Sequence, residues 1–70
     1  PLRRVLDAGC GAGRMITHLR SASPHLEVTG VDLSEEMIAL AQQAHPTVRF
    51  VRADLTDIPF EAAQFDAVLA

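Results

Sequence analysis

Apolar residues come in short blocks along this chain, and the blocks alternate between the period of a strand and that of a helix. The first, Val5-Leu6-Asp7-Ala8, breaks into glycines at positions 9, 11 and 13. That run predicts a strand buried on both faces, as where helices cover a parallel sheet, then a tight turn. After the turn Met15, Ile16 and Leu19 fall on one helical face, with Arg14, Thr17, His18 and Arg20 mostly off it. The helix should stop by Ser21-Ala22-Ser23-Pro24, because proline cannot continue it and the residue before proline avoids the helical region. Leu26 to Leu33, with β-branched Val28, Thr29 and Val31, predicts a second strand with Asp32 at its carboxyl end. Ser34 is a good N-cap, and Glu35 and Glu36 suit the positive end of a second helix. There Met37, Leu40, Ala41 and Ala44 repeat at helical spacing, with Ile38 flanking, as the face packed on the sheet. His45-Pro46 ends that helix, and Val48 to Ala53 predicts a third strand running out at Asp54. Leu55 to Gln64, with Pro59 inside it, reads as a loop or irregular turn. Phe65 to Ala70 predicts a fourth strand.

Strands alternating with helices imply parallel pairing through right-handed crossovers, since parallel neighbours need a connection long enough to hold a helix. The expected fold class is α/β, an open Rossmann-like parallel sheet with flanking helices. In such sheets ligands bind beyond the carboxyl ends of the strands. The glycine loop, Asp32 and Asp54 all fall at such ends. Three features of the sequence therefore converge on one rim.

Composition narrows the possibilities. With 70 residues, 49% of them hydrophobic and 21% charged, the chain suits one small globular domain rather than a disordered segment. No apolar run approaches the ~20 residues that span a bilayer, and no opening segment reads as a secretory leader, so a cytoplasmic location is expected. The net charge is −3 and there is no lysine. The electrostatic footprint of a nucleic-acid binder is missing. Cys10 is the sole cysteine, which leaves neither a disulfide framework nor a multi-cysteine zinc site.

The chemistry lies in the turn. Glycines there permit positive φ and remove the Cβ atoms that would hold a ligand away from the backbone. The helix that follows presents free N–H groups, which favour a negatively charged group. Asp32 follows Gly13 at close to the ~20-residue offset at which an acid meets ribose hydroxyls. A carboxylate there can accept two hydrogen bonds from a cis diol. The glycine spacing departs from the dinucleotide fingerprint G-x-G-x-x-G: the third glycine comes one residue early, and Arg14 stands where that fingerprint has glycine or alanine. A pyrophosphate fits this loop less well.

Taken together, Val5-Leu6-Asp7-Ala8-Gly9-Cys10-Gly11-Ala12-Gly13, Gly30-Val31-Asp32-Leu33-Ser34-Glu35-Glu36-Met37, Ala53-Asp54-Leu55 with Ile58-Pro59-Phe60, and Phe65-Asp66-Ala67-Val68 resemble the class I S-adenosylmethionine-dependent methyltransferases. The likeness covers essentially the whole chain. Within that family it is nearest to small-molecule and carboxyl-group methyltransferases of the trans-aconitate and malonyl-carrier-protein type. The resemblance implies a seven-stranded sheet of which these residues supply the first four strands, and hence a chain continuing beyond Ala70. It also implies a loop from Asp7 to Gly13 that cradles the methionyl part of the cofactor. Gly9, Cys10, Gly11 and Gly13 would serve through the loop backbone, and Asp7 would orient the loop or the ammonium group. Asp32 would hold the ribose hydroxyls and Leu33 would lie against the adenine. Asp54 would accept from the adenine amine, with the Leu55 N–H facing the ring. Met37 would border the pocket or pack in the core, and Ala70 would meet the methionyl group through its backbone.

Methyl transfer from a sulfonium is an in-line displacement with an activated leaving group, so positioning an acceptor against the methyl supplies much of the rate. Glycines, two acids and apolar walls suffice to deliver the donor. The partner expected is a small-molecule methyl acceptor, with any catalytic base outside these motifs. Cys10 has no base placed beside it in sequence and is not expected to act as a nucleophile. His18, His25 and His45 share no metal spacing and read as ordinary helix or loop residues. Asp54 and Asp57 are too few ligands for a hard cation. Two other functions stay open: a nicotinamide- or flavin-dependent oxidoreductase, and a cofactor-binding module without transferase activity.

Overall fold

The computed structural model describes residues 2–58 and 60–70, with only the backbone of Ala62. Pro1 and Pro59, which the sequence puts at the approach to the first strand and in the last connection, lie outside the described residues. The elements follow one another as β1 (Arg4–Ala8), α1 (Arg14–Ala22), β2 (Glu27–Asp32), α2 (Glu35–Ala44), β3 (Arg49–Arg52), a 3-10 turn over Ala62–Gln64 and β4 (Ala67–Leu69). All four strands pair in parallel, in the order β3-β2-β1-β4. The chain moves outward from β1 to β3 and returns to the other side of β1, so the strand order reverses beside β1. In open α/β sheets that reversal opens a crevice at the carboxyl ends.

Central β1 is buried on both faces, Val5, Leu6, Asp7 and Ala8 included, as its largely apolar run predicts. A cluster of Cys10, Ile16, Val28 and Val48, extended by Leu26, Ile38 and Phe50, joins the helices to the sheet. The strands are shorter than their hydrophobic runs: Leu26, Leu33, Val48, Ala53, Phe65 and Ala70 stand just outside the ladders. These are strand ends, where the side-chain pattern runs past the paired residues, although the Ala53 N–H still donates to Asp32 O at 3.1 Å.

Two helix faces are rotated from expectation. In α1, Ile16 is buried but Met15 is half exposed. In α2, Ala41 is buried and Met37 and Ile38 are half-buried, whereas Leu40 and Ala44 face outward. The stripe that meets the protein runs 34, 37/38, 41 and 45, the same 3.6-residue period in a different phase. Periodicity fixes the repeat; contact with the sheet and with α1 fixes the phase.

Gly30 is a packing requirement. It pairs with Phe50 across β2 and β3, and a Cβ at Gly30 would stand 2.6 Å from the Phe50 ring and 3.0 Å from Cys10 Sγ. Only a residue without a side chain lets Phe50 cross the strand.

Candidate functional site

The loop between β1 and α1 is built on left-handed glycines. Gly9, Gly11 and Gly13 have φ of 80°, 55° and 91°, a region costing other residues about 1–2 kcal/mol. Alternating them with Cys10 and Ala12 folds the chain back on itself within one turn. Val31 O accepts both the Gly9 N–H (2.7 Å) and the Cys10 N–H (2.9 Å), and Cys10 O accepts the Gly13 N–H (3.0 Å). The loop is thus tied to the end of β2. Gly13 is the N-cap of α1, with no side-chain capping bond and no acidic residue in the first turn.

Asp32, the last residue of β2, joins the two rims of the crevice. Its Oδ2 accepts the Gly11 N–H at 2.9 Å and its Oδ1 accepts the Ser34 N–H at 2.9 Å. An ionised carboxylate has about four acceptor sites, so each oxygen keeps capacity for a further donor. The carboxylate is half-buried and its orientation is fixed by backbone at both ends. Sequence offset located Asp32; it gave no sign of the bond to Gly11, which depends on how the loop folds back.

Asp7, within β1, is 5% exposed. Its Oδ2 has no hydrogen-bond partner among the described residues, and burial raises its pKa. A buried carboxylate with an unsatisfied oxygen is costly in isolation. One strand end from the glycine loop, it is the group here most in want of a donor or cation.

Cys10 is buried, and its thiol is pushed up to about 11 by burial, then by the negative charges of Asp32 and Asp7. At neutral pH it is protonated. A thiol held protonated is a poor nucleophile, and the side chain packs as a small apolar residue.

Beyond the rim lie two exposed leucines. Leu33 is 57% and Leu55 48% exposed, and Leu55 Cδ1 lies 3.6 Å from where a Gly9 Cβ would be. Arg52 steadies the Leu33 turn, donating from Nε to Leu33 O (2.9 Å) and pairing through a terminal nitrogen with Glu35 (3.0 Å). Asp54, just past β3, is exposed; its Oδ1 accepts the N–H (2.8 Å) and Oγ1–H (2.7 Å) of Thr56. Those two bonds, the backbone one first, hold its pKa below the ordinary value. Met37 is half-buried in the first turn of α2, where its N–H donates to the Ser34 cap (3.2 Å). Ala70 is exposed, one residue past β4.

The sequence-chosen residues therefore share the carboxyl-end rim, in an order set by the sheet: Asp54 and Leu55 past β3, Asp32 and Leu33 at β2, the glycine loop past β1, and Ala70 past β4. Four strands ~4.8 Å apart spread this row over roughly 14 Å.

One residue read as ordinary is not. His45 is 7% exposed, caps the carboxyl end of α2 and hydrogen-bonds to α1. Its partners lie far away in sequence, which hid it. A cavity of about 460 Å³ opens at the other end of the sheet, among Arg4, Arg20, Arg49, Phe60 and Phe65. Its arginines are engaged: Arg4 with Glu27 (3.5 Å), Arg20 with His45 (3.1 Å), and Arg49 over the Phe60 ring (5.1 Å). Among the described residues no cluster of three or more His, Cys, Asp or Glu could hold a metal ion. None of their helices is long and apolar enough to cross a membrane.

Comparison with known proteins agrees with this fold. A family model described as a methyltransferase domain matches residues 5–70. The malonyl-[acyl-carrier protein] O-methyltransferase of Enterobacter lignolyticus is 45% identical over 65 residues, covering 93% of this chain and 25% of the relative. The demethylmenaquinone methyltransferase of Thermotoga maritima is 35% identical over 65 residues, covering 93% of this chain and 28% of the relative. Among solved structures, the plantazolicin methyltransferase BpumL in complex with SAH matches with a TM-score of 0.84 at 30% identity, over 96% of this chain and 26% of that one. SAM-bound CalS10, an amino pentose methyltransferase from Micromonospora echinaspora, matches with a TM-score of 0.83 at 34% identity, over 96% of this chain and 27% of that one. The chain spans about a quarter of the length of these relatives.

Proposed function

The chain belongs to the methyltransferase-domain family, and from that premise we propose that its carboxyl-end rim binds S-adenosylmethionine as the donor half of an enzyme methylating a small-molecule acceptor. The observation that carries this reading is the Asp32 carboxylate, fixed by the Gly11 and Ser34 N–H groups at the crevice beside the glycine loop. Its remaining acceptor sites suit a ribose diol. Asp7, buried with an unsatisfied Oδ2, suits a cationic amine, directly or through water. Exposed Leu33 and Leu55 offer apolar faces for a flat heteroaromatic ring. Asp54 Oδ2, not used by Thr56, is free to accept from an exocyclic amine. Backbone at Gly9, Gly11 and Gly13 allows close approach of the amino-acid tail, and Ala70 borders the same end.

The bound cofactor supplies a methyl group on a positively charged sulfur. The rest is positioning. Asp32 would hold the ribose end of the cofactor, and Asp7 together with the glycine loop would hold its methionyl end. With the donor held at both ends, orienting an acceptor against it would supply several kcal/mol of the barrier. None of the chain's own groups is asked to form a covalent bond, in keeping with the protonated state of Cys10. The residues that hold the acceptor are assigned to the remainder of the domain.

The test is calorimetric titration of the full chain with S-adenosylmethionine, S-adenosylhomocysteine and NAD. Binding of both sulfur nucleotides with little for NAD supports the reading. Binding of NAD alone overturns it in favour of an oxidoreductase. Binding of none of the three by the folded protein overturns it in favour of a module without transferase activity.

A further inference from the structure

The buried His45 packs against Gly13, the last glycine of the loop, and its hydrogen bonds have a definite direction. An arginine guanidinium can only donate, so the contact between Arg20 and His45 Nδ1, at 3.1 Å, makes Nδ1 the acceptor. The ring is then neutral with its proton on Nε2. Nε2 lies 2.9 Å from Thr17 Oγ1 and donates to it. Thr17 Oγ1 in turn donates to the carbonyl of Gly13 at 3.1 Å. Every member of the chain Arg20, His45, Thr17, Gly13 thus has one consistent role, ending on the last residue of the cofactor loop. The same ring also packs on that residue: a Cβ at Gly13 would stand 3.2 Å from His45 Cδ2 and 3.4 Å from the Ala41 side chain.

We propose that His45 is a positioning residue for cofactor binding, holding the Gly13 peptide in its left-handed conformation through Thr17 and so fixing the loop against which the methionyl group lies. The proposal rests on the donor-site reading above. Gly13 needs such support, because α1 has no side-chain cap at its amino end and Gly13 at φ 91° is in a conformation a glycine readily leaves. The carbonyl of Gly13 accepts the Thr17 N–H at 3.0 Å as well as the Thr17 hydroxyl. The relay holds that peptide from the α2 side.

The experiment compares wild-type full chain with His45→Gln, His45→Asn, His45→Phe and Thr17→Val, measuring S-adenosylhomocysteine affinity by calorimetry and the melting temperature of each. Glutamine places an amide N–H where Nε2 lies and can still donate to Thr17. Asparagine offers an acceptor near Nδ1 but is too short to reach Thr17, and phenylalanine keeps only the packing. The expected result is a loss of about fivefold in affinity for Thr17→Val, the size of one net hydrogen bond. His45→Asn and His45→Phe should lose at least as much, and His45→Gln should stay within about twofold of wild type. Equal affinities for the glutamine and phenylalanine variants overturn the relay, as does unchanged affinity in Thr17→Val. Should one His45 variant fail to fold, Thr17→Val, at an exposed helix position, still decides between these outcomes. If the wild type binds neither sulfur nucleotide, the donor-site reading falls and the relay falls with it. If the wild type binds and folded variants match it, the relay alone falls.

Discussion

Helices α1 and α2 each follow a parallel strand of the same sheet, yet their first turns are built from opposite chemistry. At α2 the chain satisfies itself: Ser34 accepts the Met37 N–H at 3.2 Å, and Glu35 and Glu36 sit at the positive end of the helix. At α1 the cap is Gly13, in left-handed conformation, with no side-chain bond and no acid in the first turn. The acid that α1 lacks in sequence is supplied from the side, by Asp32 of the neighbouring strand through Gly11. One helix start is closed by its own residues, and the other is closed from a neighbouring strand. Their difference separates a helix start closed by its own side chains from one whose own side chains leave it open, although both occur at carboxyl ends of the same sheet.

Substitutions that break or sharpen this contrast follow from the contacts, the largest effect first. Gly30→Ala drives a methyl into the Phe50 ring and Cys10, and overpacking of this kind should cost about 1–3 kcal/mol. Thermal unfolding should show it as a lower melting temperature. Ser34→Ala removes the cap of α2 and should cost about 1 kcal/mol of stability, with S-adenosylhomocysteine affinity nearly unchanged in calorimetry. A large affinity loss there would erase the distinction between the two helix starts.

Asp7→Asn is expected to have opposite effects on stability and binding. Burial raises the Asp7 pKa in the folded chain, so the folded state holds its proton more tightly than the unfolded one. Stability from this group is greatest at low pH and is lost as pH rises from the ordinary carboxyl range through the raised folded value. At neutral pH the amide should therefore raise the melting temperature while weakening binding of the amine-bearing nucleotide. Melting curves and titration of the same variant check both signs. His45→Gln, argued above, should have the smallest effect of all.

Much of the fold was legible because local rules agreed. The Val5–Ala8 run, the glycines and the apolar positions after them point to strand, left-handed turn and helix at successive residues. Ser34 announces its helix by side chain alone. Asp32 was legible as a candidate because its offset from the loop is set by one strand-helix-strand unit. What stayed hidden involves partners distant in sequence. Gly30 looks like an ordinary strand glycine until β3 brings Phe50 across it. His45 looks like a helix-ending residue until α1 and α2 pack side by side, and Arg52 looks solvated until it reaches Leu33 O. Met15 and Leu40 show the same limit, since their spacing is helical but the phase of each helix on the sheet is set by packing.

The most direct test of a donor site organised by Asp32 is calorimetric titration of the full chain and its Asp32→Ala variant with S-adenosylhomocysteine, with circular dichroism to verify that both are folded. Removing the carboxylate deletes charge-assisted bonds to the Gly11 and Ser34 N–H groups and the proposed ones to the ribose, and affinity is predicted to fall on the order of 100-fold. A folded Asp32→Ala protein that binds as tightly as wild type would contradict the central assignment.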